Sequence, residues 1–137
     1  MYSKGKILII DDDPDLCAAL SNILTADGYS VRCANQGSLG LKLMREDRPD
    51  LVFLDIIMRM PTEGVWVSEE IANDAELRDV PVVMLTSIVG SEYAGHFPTD
   101  GPLHAHLFLD KPVPMDKILE VANQYAGQIS ASTQEGM

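Results

Sequence analysis

A chain of 137 residues with 46% hydrophobic content has the length of one domain and enough apolar side chains for a sizeable core. Its formal charge of -11, with only ten Lys and Arg in total, argues against nucleic acid or an anionic membrane as a direct partner, because contacts to phosphate need cations. No apolar run reaches the length of a membrane span or a signal-peptide core, and Cys17 and Cys33 have neither metal-ligand nor CxxC spacing, so the expectation is a cytoplasmic chain with two buried, reduced thiols.

Short apolar runs alternate with amphipathic stretches five times, the pattern of βα units laid on a parallel sheet. Ile7 to Ile10 is continuously apolar, as a strand covered on both faces must be, and it stops at Asp11, Asp12 and Asp13. A helix follows: Asp13 suits the cap, Pro14 the first turn, and Leu16, Cys17, Leu20, Ile23 and Leu24 share a face until Gly28 ends it. Tyr29, Val31 and Cys33 alternate with Ser30 and Arg32 as in a second strand, and a helix weakened by Gly37 and Gly40 runs from about Gln36 to Glu46. Leu51 to Leu54 is a third apolar strand, and it too ends in an aspartate, Asp55. Val65 to Asn73 reads as a helix, Val80 to Leu85 as the fourth strand, Leu107 to Leu109 as the fifth and Met115 to Tyr125 as the last helix. Between the last two strands, residues 90–106 hold Gly90, Gly95, Gly101, Pro98, Pro102 and all three histidines, a composition that disfavours a long regular helix. Residues 1–127 therefore read as one domain and 128–137 as a polar tail or the start of a linker.

In an open parallel α/β sheet, ligands bind in the crevice outside the carboxyl ends of the strands, and Asp11, Asp12 and Asp55 stand at two such ends. Carboxylates gathered that closely repel one another unless a cation offsets them, and hard oxygen donors suit Mg²⁺. Lys111, just past the fifth strand, brings a positive charge to the same edge, and Thr86 brings a hydroxyl at the end of the fourth. Asp13, followed by proline, reads as a helix cap instead.

Four stretches in this order, ILIIDDDPDL, PDLVFLD, VPVVMLTS and FLDKP, resemble the receiver domain of two-component response regulators, and the resemblance runs from about Gly5 to Ala126. It implies a flavodoxin-like, CheY-like α/β fold: a doubly wound, five-stranded parallel sheet of strand order 2-1-3-4-5, here with a remodelled or shortened fourth helix. It further implies that Asp55 is the phosphoacceptor and that Mg²⁺ is held by Asp12, by Asp11 partly through water, by Asp55 and by the backbone carbonyl of Ile57. Thr86 and Lys111 then bond the phosphoryl group, Thr86 and Phe108 form the switch, and Lys111-Pro112 is a cis bond. The implied role is a signalling receiver rather than an enzyme, self-phosphorylation and self-dephosphorylation apart. A sensor histidine kinase or phosphotransfer protein is the donor and a downstream protein the target, with a homodimer among the forms the family takes.

Where the family usually places a proline four residues after the phosphoacceptor and a glycine eight after it, this chain has Arg59 and Glu63, while Pro61 and Gly64 indicate a loop one residue longer. Ile57 and Ile88 occupy the two positions that in this family flank the path of the hydrolytic water. Neither side chain can hold a water in line, so a phosphorylated form lasting well beyond seconds in Mg²⁺ buffer is expected once the donor is removed, and intact-mass sampling over time measures it. His104 and His106 read as solvent-exposed rather than as a metal pair; Trp66 and Tyr93 are candidates for a partner surface, with partial core the stronger reading for Trp66 next to Val65 and Val67.

Three rival readings have less support. A haloacid-dehalogenase-type phosphatase finds its first two acids in Asp11 and Asp13 but meets Asp15 where Thr or Val belongs. A calcium loop beginning at Asp11 fails at Leu16 and Asn22, and a flavin or nucleotide phosphate would be repelled by the carboxylates after the first strand. A phosphorylation-independent interaction module built on the same scaffold is the main alternative.

Overall fold

Apolar strands with both faces covered dominate the architecture. The computed structural model describes residues 3–56, 63–86 and 105–126. Strands Lys6–Ile10 (β1), Ser30–Ala34 (β2), Leu51–Asp55 (β3), Val82–Thr86 (β4) and Leu107–Asp110 (β5) pair in parallel in the order β2-β1-β3-β4-β5. Helices among the described residues are Pro14–Ala26 (α1), Gly37–Glu46 (α2), Glu63–Ala72 (α3) and Met115–Tyr125 (α4). The expected fold and strand order are therefore found. Residues 90–104 of the Gly/Pro/His stretch, with Tyr93 and His104 among them, and Ile57, Arg59, Pro61, Ile88 and the tail 128–137 lie outside the described residues.

Strand alternation divides the core into two layers. Leu8, Ile10, Val52, Leu54, Val82 and Met84 pack with Leu41, Met44, Val67 and Ile71 of α2 and α3. Ile7, Ile9, Leu51, Phe53, Val83 and Leu85 pack on the opposite face with Leu20 and Leu24 of α1 and Ile118 and Val121 of α4. Because consecutive residues of β1, β3 and β4 serve different layers, these runs carry no polar position, which is why they read as unbroken apolar segments.

Helix α1 starts and stops where its sequence signals stand. The Asp13 carboxylate accepts the backbone N–H groups of Asp15 and Leu16 at 3.0 and 3.3 Å, and Pro14 opens the first turn. At the other end Gly28, with φ of 103°, donates to the Thr25 carbonyl while Tyr29 donates to Leu24, a pairing that needs the left-handed backbone glycine tolerates.

Several boundaries and exposures differ from expectation. β4 begins at Val82 rather than Val80, because the Val80 N–H is taken by the Leu77 carbonyl in a turn and Pro81 has no N–H to give a ladder. It runs on to Thr86, which pairs with Asp110. α3 covers Glu63–Ala72, and Trp66 on it keeps 43% of its surface exposed, so it lies at the rim of the core. Cys17 is buried as expected but Cys33 is exposed, since it sits on β2, which among the described residues is an edge strand paired with β1 alone. His106 is exposed, and its Nδ1 accepts the Val82 N–H at 3.2 Å.

Candidate functional site

The strand order reverses between β1 and β3, so the carboxyl ends of these two neighbours form the crevice at which α/β sheets bind ligands. Asp11 follows β1 directly and is held there by its N–H to the Ala34 carbonyl at 3.0 Å. Asp55 closes β3, and the Ile56 N–H beyond it bonds the Leu85 carbonyl of β4 at 3.0 Å. One carboxylate oxygen from each of Asp11, Asp12 and Asp55 lies within 4.8 Å of the others. Asp11 is wholly buried, Asp55 is 3% exposed and Asp12 is half-buried at the mouth.

Lys111 completes the cluster from β5. Its backbone N–H bonds the Thr86 carbonyl at 2.6 Å, and its ammonium lies 2.8 Å from Asp11 Oδ2 and 3.5 Å from Asp55 Oδ2. Burial pushes the ammonium towards neutrality, but the hydrogen bond to Asp11 and the charges of Asp55 and Asp11 outweigh that and raise its pKa above the ordinary lysine value. It is therefore charged at neutral pH. The other Asp11 oxygen accepts the Asp13 N–H at 2.9 Å, which orients the carboxylate at the start of α1. The bond from Lys111 to Pro112 is cis.

Thr86 is half-buried at the end of β4, next to the Lys111 backbone, on the same rim as the cluster. Phe108 stands three residues before Lys111 in register with Met84, with 49% of its surface exposed, and is not part of the cluster. The four acidic and basic side chains singled out from sequence, Asp11, Asp12, Asp55 and Lys111, are thus brought together, with Thr86 at their edge.

Three carboxylates facing one ammonium leave an excess of negative charge, and the donor set is entirely hard oxygen. An octahedral Mg²⁺ binds oxygen at about 2.0–2.1 Å, so oxygens on opposite sides of it stand roughly 4 Å apart. The carboxylate spacing here suits such an ion with only small side-chain movements.

Two residues that sequence reasoning treated as departures turn out to build the site's flank. A Cβ on Gly64 would stand 2.4 Å from the Ile56 carbonyl oxygen and 2.6 Å from that of Asp55, so α3 approaches the end of β3 as closely as only glycine permits. Gly64→Ala should force these backbones apart and lower stability by about 1–3 kcal/mol, read from urea unfolding midpoints at constant slope. The Glu63 carboxylate accepts the N–H of Gly37 in the first turn of α2, a helix whose own N-cap, Gln36, makes no side-chain cap bond. An acidic group at a helix N-terminus is favourable, and here a neighbouring helix supplies it. The only sequence signal was the displaced glycine itself.

Comparison with known proteins agrees with this geometry. Residues 7–123 match the family model of the response regulator receiver domain. Protein PilH of Pseudomonas aeruginosa is 34% identical over 83 residues, covering 61% of this chain and 68% of PilH. The DNA-binding response regulator MtrA of Mycolicibacterium smegmatis is 38% identical over 84 residues, 61% of this chain but 35% of MtrA. The chain spans about a third of the length of the transcriptional regulators among its relatives. The chemotaxis response regulator CheY4 of Vibrio cholerae shares the fold with a TM-score of 0.75 at 23% identity, over 91% of this chain and 99% of that one. No helix among the described residues is long and apolar enough to cross a membrane. With the strand order, the acidic rim and the match over residues 7–123 in agreement, the chain belongs to the response regulator receiver domain family of two-component signalling.

Proposed function

We propose that Asp55 accepts a phosphoryl group from the phosphohistidine of a sensor histidine kinase or phosphotransfer protein, in a site where Asp11, Asp12 and Asp55 hold Mg²⁺. The observation that carries this reading is the convergence of the three carboxylates with Lys111 at the β1/β3 switch point. Bound there, the ion supplies charge neutralisation to the transferring group. Every other part falls to the chain. Asp55 presents a carboxylate oxygen as nucleophile at the end of a rigid, fully buried strand. Lys111, already charged and aimed between Asp11 and Asp55, offers its ammonium to the developing negative charge. The Ile57 carbonyl, two residues past Asp55, is the further metal ligand that the family resemblance assigns.

After transfer, the phosphoryl oxygens are new acceptors for Lys111 and for the Thr86 hydroxyl. Drawing Thr86 towards them frees space for Phe108, whose ring is half exposed at rest. Burying the rest of that ring is worth on the order of 1 kcal/mol, enough to bias two packings of one face about fivefold. The reading also places the protein in the cytoplasm and gives it a downstream protein target, with no turnover of free substrate beyond its own phosphoryl group.

The direct test is intact-mass analysis after incubation with acetyl phosphate and Mg²⁺: the parent gains one phosphoryl group. A metal test needs no phosphoryl donor. Mg²⁺ at a hundred times its dissociation constant should stabilise the parent by about 2.7 kcal/mol in thermal unfolding, whereas Asp12→Asn should show little of that gain. An equal gain in both chains would remove Asp12 from the metal site.

A further inference from the structure

Cys17 on α1 and Cys33 on β2 lie sixteen positions apart in the chain and meet in the fold. The Cys33 thiol donates to the Cys17 carbonyl oxygen at 3.8 Å. Their environments are unequal. Cys17 is 8% exposed and packs in the α1/α4 layer of the core, whereas Cys33 is exposed. One hollow is lined by both cysteines, together with Asp11, Pro14, Asn35 and Leu39. The Cys17 thiol also donates to the Asp11 carbonyl oxygen at 3.3 Å.

We propose that Cys17 and Cys33 are a peroxide-reactive dithiol that closes reversibly into an intramolecular disulfide beside the acidic site. Exposure makes Cys33 the attacking sulfur and burial makes Cys17 the resolving one. In the first step the Cys33 sulfur forms a bond to one peroxide oxygen as the O–O bond breaks. The other oxygen leaves as water, the peroxide is reduced by two electrons, and Cys33 becomes a sulfenic acid. In the second step the Cys17 sulfur displaces that hydroxyl: the S–S bond forms, the S–O bond breaks, and a second water carries off the Cys17 proton. An external dithiol returns two electrons and two protons to reopen the bond. The Cys33 sulfur already lies 3.8 Å from the Cys17 backbone, and closing to the disulfide distance of about 2.05 Å calls for rotation of the two side chains towards each other.

Burial of Cys17 keeps it from competing as the attacker. Closure also removes the proton that Cys17 gives to the Asp11 carbonyl, so the modification lies one hydrogen bond from the end of β1.

The test uses the full chain, reduced, freed of reductant and treated with hydrogen peroxide. The expected result is loss of two hydrogens in intact mass, loss of both alkylatable thiols, a Cys17–Cys33 linked peptide after digestion, and recovery of both thiols with dithiothreitol. In Cys17→Ser, Cys33 should instead pass on to sulfinic acid or link two chains, and in Cys33→Ser, Cys17 should keep its thiol under the same dose. The proposal is overturned if Cys33 of the parent reaches sulfinic acid while Cys17 stays alkylatable, or if every disulfide found joins two chains. None of these readouts involves Asp55, so the outcome stands apart from the phosphotransfer reading.

Discussion

An Asp55→Asn chain incubated with acetyl phosphate and Mg²⁺ should keep its original mass while the parent gains one phosphoryl group. The amide retains the shape of the carboxylate but carries no anionic oxygen to attack phosphorus, so the loss should be complete rather than graded. Misfolding is an unattractive explanation in advance, because the substitution relieves rather than creates strain. Asp55 is 3% exposed and shares its site with the fully buried Asp11, so removing one of the two charges should leave the metal-free chain at least as stable as the parent. Unfolding in urea without Mg²⁺ checks that half. A parent that gains no phosphoryl group would favour the phosphorylation-independent module, and an Asp55→Asn chain that gains it in full would place the acceptor elsewhere.

Lys111→Met should reduce the rate of phosphoryl gain by about 10²–10³, the scale expected when one preorganised charge at a transferring group is removed. The ammonium bonds Asp11 at 2.8 Å and reaches Asp55 at 3.5 Å, so it is positioned before any phosphoryl group arrives. Its removal also leaves two buried carboxylates without their cation. Because the lysine side chain is 20% exposed and partly screened, the stability loss without Mg²⁺ should be nearer ~2 kcal/mol than the larger values of fully buried pairs. The pH dependence has a definite sign. The folded-state pKa of Lys111 is raised above the ordinary 10.5, so its contribution is fully present below that value and is lost as pH rises through the folded one. Parent and variant should thus differ by a constant amount at neutral pH and converge in strongly alkaline solution, as paired unfolding curves would show.

Much of this site was legible from local pattern. Ile7 to Ile10 and Leu51 to Leu54 declare themselves as strands covered on both faces, and each ends in an aspartate, so parallel topology alone sends those acids to one edge. The cap by Asp13 and the stop at Gly28 were equally local, since each depends on backbone groups within a few residues. Strand β4 was misplaced by two residues at its start because a turn bond from Val80 to Leu77 took an N–H that apolar pattern had assigned to the ladder.

Sequence alone determined the layer architecture and the sheet edge on which Asp11, Asp12, Asp55, Thr86 and Lys111 stand, because burial period and strand termination are properties of short segments. Tertiary structure alone decided that Lys111 lies nearer Asp11 than Asp55, that Glu63 caps α2, that Gly64 touches the carbonyl of Asp55, and that exposed Cys33 meets buried Cys17. These are pairings between elements. They depend on how each helix is set against the sheet and on side-chain reach across distances of 16, 26 and 100 positions in the chain, which no periodicity encodes.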